Sequence, residues 1–124
     1  MKKNILIVDD IAFNIELEEK IIKSLMDEIE IEISVDSAAT VTEALNKIEN
    51  IHYDAMIIDI NLPDGSGIDI AKAARKKNPE TRLAALTIYP SKYEKERGYF
   101  DLFLKKPIMP ESYKQNIVRL LQLP

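Results

Sequence analysis

Asp9, Asp10, Asp59, Thr87 and Lys106 share one property: each closes a short apolar run, in "NILIVDD", "YDAMIID", "RLAALTI" and "DLFLKK". If those runs are parallel strands, their carboxyl ends lie together, and three acids, a hydroxyl and a cation meet there. Three carboxylates at close quarters repel, at about 1.4 kcal/mol for each pH unit by which an acid is displaced. A divalent cation would offset that repulsion. With oxygen donors, no cysteine and a single histidine in the chain, the hard ions Mg²⁺ or Mn²⁺ fit best. Mg²⁺ favours one or two carboxylates completed by water and phosphate oxygens. Lys106 is suited to neutralise phosphoryl charge and Thr87 to donate a hydrogen bond to it. The remaining role is that of a nucleophile, which a carboxylate fills by forming an aspartyl phosphate.

The elements that must position these groups alternate along the chain. After the first run, Leu17, Ile21, Ile22 and Leu25 recur at helical spacing, with Glu16, Glu18, Glu19, Lys20 and Lys23 on the outside. Ile29, Ile31, Ile33 and Val35 then alternate with Glu30, Glu32 and Ser34, the period of a strand with one wet face or of a sheet edge. Val41, Ala44, Leu45 and Ile48 form a second helix, opened by a Thr40–Glu43 capping box. A third helix runs from about Ile68 to Lys77 and stops before Pro79. Ser91 and Glu94 are expected to cap a short fourth helix that Gly98 ends, and Tyr113, Ile117, Leu120 and Leu121 line a last one. Five βα units imply an α/β fold: one doubly wound domain, a parallel sheet with helices on both faces. The stretch "MIIDINLPDGSG" fits this scheme, since Asp59 ends a buried strand and Asn61, Pro63, Asp64, Gly65 and Gly67 turn the chain away above it.

Composition narrows the class. At 124 residues, 46% hydrophobic and 31% charged, the chain has the material for one core and a polar surface. The absence of cysteine suits a reducing compartment. The amino terminus lacks the small residues of a signal-peptide cleavage site and no run spans a membrane, so a cytoplasmic protein is expected. A net charge of −4 argues against direct nucleic-acid or lipid binding.

Four motifs in register, "ILIVDD", "DINLPDGSG", "ALT" and "LKKP", resemble the receiver domain of two-component response regulators, and the likeness covers essentially residues 1–124. The resemblance implies a flavodoxin-like sheet of strand order 2-1-3-4-5. Asp59 then resembles the phosphoacceptor, and Asp9 and Asp10 the acidic pair that holds Mg²⁺ together with Asp59 and the Asn61 backbone carbonyl. Thr87 is similar to the switch hydroxyl and Lys106 to the phosphate-binding lysine, followed by a cis bond to Pro107. Phe103 stands where the family carries an aromatic that rotates with the switch. The implied partners are a histidine kinase or histidine phosphotransfer protein upstream and an unidentified protein downstream; a phosphorylation-dependent homodimer is a further implication. Such a domain catalyses only its own phosphorylation and dephosphorylation and is not otherwise an enzyme.

The chain departs from that pattern at Ile88 and Tyr89, where the family usually has a small residue first. Ile88 is positioned to crowd Asp59, and Tyr89 to shield an acyl phosphate. An alternative reading is therefore a phosphorylation-independent interaction module obstructed by Ile88. The interval from Thr87 to Lys106 is short, which trims the fourth helix and puts its partner face in question, while that from Asp10 to Asp59 is long. Asn14, in "DDIAFN", leans toward receivers of hybrid kinases. An aspartate-nucleophile phosphohydrolase would need an acid where Asn61 stands, and a flavin-binding flavodoxin would need a phosphate loop after the first strand. Lys105 reads as a solvated neighbour of Lys106 and His52 as a surface residue in a turn. The basic group Lys72, Arg75, Lys76 and Lys77 reads as a complement to a helix C-terminus.

Overall fold

The computed structural model describes residues 2–124. Five strands, β1 (Lys2–Val8), β2 (Glu32–Ala38), β3 (Ala55–Asp59), β4 (Arg82–Thr87) and β5 (Leu102–Lys105), form one parallel sheet in the order β2-β1-β3-β4-β5. Four α-helices, α1 (Ala12–Ile29), α2 (Val41–Asn50), α3 (Gly67–Lys77) and α4 (Pro110–Leu120), cover its two faces. The strand period of two divides the core. Leu6, Val8, Met56 and Ile58 pack with Ala44 and Ile48 of α2 and Ile70 of α3. Ile5, Ile7, Ile57 and Leu86 pack with Ile21, Ile22 and Leu25 of α1 and Ile117 of α4. Every residue of β3 is buried, as expected for a central parallel strand covered on both faces. Among the described residues no helix is long and apolar enough to cross a membrane.

The edge position expected for the alternating segment is correct, but its start is not. Ile29 is the last residue of α1, and Glu30 closes that helix with φ 54° and its N–H on the Met26 carbonyl at 2.9 Å. The strand starts at Glu32 and runs on to Ala38. Leu25 and Ile29 stand four apart, so the helical period extends into the alternating run and outcompetes it locally.

The fourth helix is also different. Pro90–Tyr99 forms a 3₁₀ segment interrupted at Tyr93, with no side-chain cap and none of its residues buried. Glu94 is engaged by Arg97 at 3.1 Å and 3.2 Å rather than by a capping box, and Gly98 lies within the segment rather than beyond its end. With Tyr93 half-buried against the core and no residue of the segment fully buried, there is little tertiary packing to offset helix nucleation. What fastens the segment is Arg75. Its guanidinium donates to the carbonyls of Tyr99, Pro79 and Thr81 and pairs with Asp101 at 2.7 Å. Asp101 also accepts from the Leu83 N–H at 2.8 Å and pairs with Arg82 at 3.3 Å. Burial raises the Asp101 carboxyl, but these donors outweigh it and hold the group below the usual range. Asp101→Ala leaves the Leu83 N–H without this acceptor and takes one partner from each of Arg75 and Arg82, so a loss of about 2 kcal/mol in urea denaturation is expected. An unchanged midpoint would refute the clamp.

Candidate functional site

The strand-end residues converge as expected. Asp9 follows β1, held by its N–H on the Ala38 carbonyl at 3.0 Å, and is 0% exposed. Its carboxylate accepts from the Ile11 N–H at 2.9 Å and from Asn14 Nδ2 at 3.2 Å. Asp10 is exposed. Asp59 ends β3 at 3% exposure, with Oδ1 accepting from the Asn61 N–H and Oδ2 from Lys106 Nζ, both at 3.1 Å. One carboxylate oxygen from each of Asp9, Asp10 and Asp59 lies within 4.8 Å of the other two. Thr87 is buried at the end of β4; its Oγ1 accepts from the Tyr89 N–H at 3.2 Å and its carbonyl from the Lys106 N–H at 2.9 Å. The Lys106–Pro107 bond is cis.

Burial pushes the Asp59 carboxyl above its ordinary range; Lys106 and the Asn61 N–H pull it down, and the charge of Asp9 pushes it up again. One cation therefore faces three acids. The donor set, two buried carboxylates and one exposed, is hard and open on one side, which fits Mg²⁺ or Mn²⁺. The floor of the site is tight. A Cβ on Gly67 would come within 2.3 Å of the Asp59 carbonyl oxygen and 2.7 Å of Ile58 Cγ2, so only glycine lets α3 start this close to β3. Ser66 caps α3 through the Ile68 N–H at 3.1 Å.

Asn61 lies in a small hairpin in which Asn61–Leu62 pairs with Gly65–Ser66. Phe103 of β5 is half-buried, edge-on to Phe100 at 5.3 Å between centroids, with the Arg97 guanidinium 5.3 Å from its ring. Ile88 is 55% exposed and lines an open groove of ≈ 550 Å³ with Phe13, Leu17, Lys106 and Ile108. Tyr89 is 66% exposed. Lys105 is exposed. His52 precedes β3, at the opposite end of the sheet from the acids, and contacts Asn78.

One residue departs from the pattern read along α1. Glu18, expected on the outer face, is 0% exposed. Its Oε1 accepts from the Tyr113 hydroxyl of α4 at 2.7 Å, while Oε2 has no partner among the described residues. Burial, with smaller contributions from Asp9 and Asp59, pushes its carboxyl up to about 8 against the pull of Tyr113 and Lys106. The signal was present: Glu18 stands three and four residues before Ile21 and Ile22, on the buried stripe.

Comparison with known proteins places this arrangement. The chain is 30% identical over 92 residues to the sensor protein EvgS of Escherichia coli K12, an alignment covering 72% of the chain and 8% of EvgS, so the chain spans a small part of that relative. A CheY-like response regulator receiver domain from Methylobacillus flagellatus superposes with a TM-score of 0.83 at 27% identity, covering 97% of this chain and 99% of that one. The response regulator TrrA of Thermotoga maritima, solved in complex with Mg²⁺-BeF, superposes with a TM-score of 0.75 at 30% identity, covering 96% and 99%. The family described as "Response regulator receiver domain" matches residues 5–118, and the chain, with its acids, threonine and lysine gathered at the carboxyl ends of a 2-1-3-4-5 sheet, belongs to that family.

Proposed function

We propose that residues 1–124 form one receiver unit, acting in the cytoplasm, that accepts a phosphoryl group on Asp59 from a histidine kinase or histidine phosphotransfer protein and thereby changes its affinity for a downstream protein. The observation that carries this is the meeting of three carboxylates within 4.8 Å with Lys106 already on Asp59 at 3.1 Å. Asp9, Asp10, Asp59 and the Asn61 backbone carbonyl would hold Mg²⁺, with Mn²⁺ a substitute for the same donors. The bound cation supplies charge neutralisation for the phosphoryl oxygens.

A carboxylate oxygen of Asp59 attacks phosphorus, the O–P bond forms as the N–P bond of the phosphohistidine breaks, and the imidazole, already protonated on its other nitrogen, leaves as the neutral ring. Lys106 stays with the transferred group as counter-charge, and Thr87 turns its hydroxyl from the Tyr89 N–H to a phosphoryl oxygen. Phe103, packed on Phe100, then follows Thr87 in repacking, which is the local change a partner reads. Hydrolysis at Asp59 resets the domain; it catalyses no other reaction. Exposed Phe13 and Ile88 beside Lys106 support a protein donor, because contiguous apolar rims mark protein contact.

Incubation with acetyl phosphate and Mg²⁺ is expected to add about 80 Da, one phosphoryl group, and EDTA to prevent it. No adduct with Mg²⁺ present overturns the reading, and recovery of the adduct in Ile88→Ala transfers it to the obstructed module.

A further inference from the structure

The hairpin that carries Asn61 is tied to a helix far from it in sequence. Asp64, at the hairpin tip, reaches the first turn of α2. Its Oδ1 accepts from the Val41 N–H at 2.7 Å, and its Oδ2 accepts from the Thr42 N–H at 3.1 Å and from Thr42 Oγ1 at 2.9 Å. The Glu43 N–H is already taken by Thr40 Oγ1 at 3.0 Å. Three of the amides that a helix leaves free at its start are thus satisfied, two of them by a side chain from another loop. The Val41 and Thr42 amides hold the Asp64 carboxyl below its usual range, as the positive end of a helix does for an anion.

The contact is close as well as polar. A Cβ on Gly65 would lie 3.3 Å from Val41 Cγ2, and Leu62 packs against the core cluster that includes Val41. The turn ahead of α2 is also joined to the acid site from the other side. The Ala38 carbonyl receives the Asp9 N–H at 3.0 Å, and the Ala39 N–H donates to Glu43 at 2.6 Å. The start of α2 therefore holds Asp9 through β2 and the Asn61 hairpin through Asp64. Within that hairpin Asn61 pairs with Ser66 and Leu62 with Gly65, so a shift at the tip is carried to Asn61.

We propose that Asp64 is a positioning residue for the divalent-cation site, setting the Asn61 backbone against Asp9, Asp10 and Asp59 by fastening the hairpin to α2. This rests on the metal reading above. Thr42 shares the task through its hydroxyl, and neither residue need touch the ion.

The test is the dissociation constant for Mg²⁺ followed by amide NMR, with thermal stability measured in EDTA. Asp64→Ala is expected to weaken Mg²⁺ binding about tenfold, the lower end of what partners behind the ligands contribute. Asp64→Asn removes the same charge but keeps an acceptor for the Val41 N–H, and is expected to stay within about threefold of the parent. Asp101→Ala, at the opposite end of the sheet, is expected to lower stability and leave Mg²⁺ affinity unchanged. If Asp64→Asn weakens binding as much as Asp64→Ala, charge alone acts and the positioning role is overturned. Equal affinity of Asp64→Ala and parent overturns it too. If the parent itself shows no saturable Mg²⁺ binding, the metal reading fails and this inference with it, an outcome distinguishable from either of the others.

Discussion

Asp59→Asn is expected to abolish phosphoryl uptake and, in the same protein, to raise thermal stability in the absence of metal. The first effect is complete, because an amide is not the nucleophile a carboxylate is. The second follows from the environment of Asp59. Burial raises its carboxyl, and Lys106 and the Asn61 N–H do not fully offset that, with Asp9 adding repulsion. A carboxyl raised on folding stabilises the fold below the unfolded value, near pH 4, and that contribution is lost as pH rises through the folded value. Ionising Asp59 therefore costs more in the folded chain than in the unfolded one. The asparagine oxygen still accepts from the Asn61 N–H, and Lys106, whose side chain is 19% exposed, has water within reach. Intact mass after acetyl phosphate with Mg²⁺ and calorimetry at pH 7 in EDTA read the two effects. Mass gain in the variant would remove Asp59 as acceptor, and a lower Tm would refute the electrostatic account.

The strand ends were legible because a parallel strand buried on both faces is a continuous apolar run, and its first polar residue marks the mouth of the sheet. That rule marks Asp9, Asp59 and Thr87 and, at the fifth run, the pair Lys105 and Lys106; the strand order comes with the family likeness. Elsewhere residue type misled. The charge of Glu18 points it outward, whereas its spacing places it with Ile21 and Ile22 on the buried face. The capping signal at Ser91–Glu94 was local, whereas a helix needs a partner surface, and none of Pro90–Tyr99 is buried. Of the basic group on α3, Lys76 and Lys77 lie in its last turn and Lys72 stands over the Tyr99 ring, but Arg75 turns inward to hold Asp101 and the Tyr99 carbonyl. Such ties, like that of Asp64 to Val41 and Thr42, join residues more than 20 apart with no periodic trace in the chain.

Glu18→Gln is expected to stabilise the metal-free protein by roughly 3 kcal/mol at pH 7 and to flatten its pH dependence. Folding lifts this carboxyl from its ordinary 4.5 to about 8, chiefly by burial. Through that range the folded chain keeps a proton that the unfolded chain has released, so stability falls with rising pH by about 1.4 kcal/mol per unit. The contribution is whole below pH 4.5 and gone above about 8. Glutamine has no proton to lose, and its Oε1 still accepts from the Tyr113 hydroxyl, a tyrosine 3% exposed that needs a partner. Its Nε2 inherits a position where Oε2 already lacks a partner among the described residues, so little is forfeited by the exchange. Urea denaturation at pH 5 and pH 8.5 separates the outcomes: the parent should lose several kcal/mol between them and the variant should not. Parallel losses would place the ionising group elsewhere. A proton on Glu18 also keeps a fourth negative charge from forming near Asp9, Asp10 and Asp59, where Lys106 is already outnumbered. Tyr113→Phe alone should destabilise by leaving Glu18 without its donor, whereas Tyr113→Phe with Glu18→Leu removes both polar groups and should restore stability, since a buried pair replaced together leaves nothing unpaired.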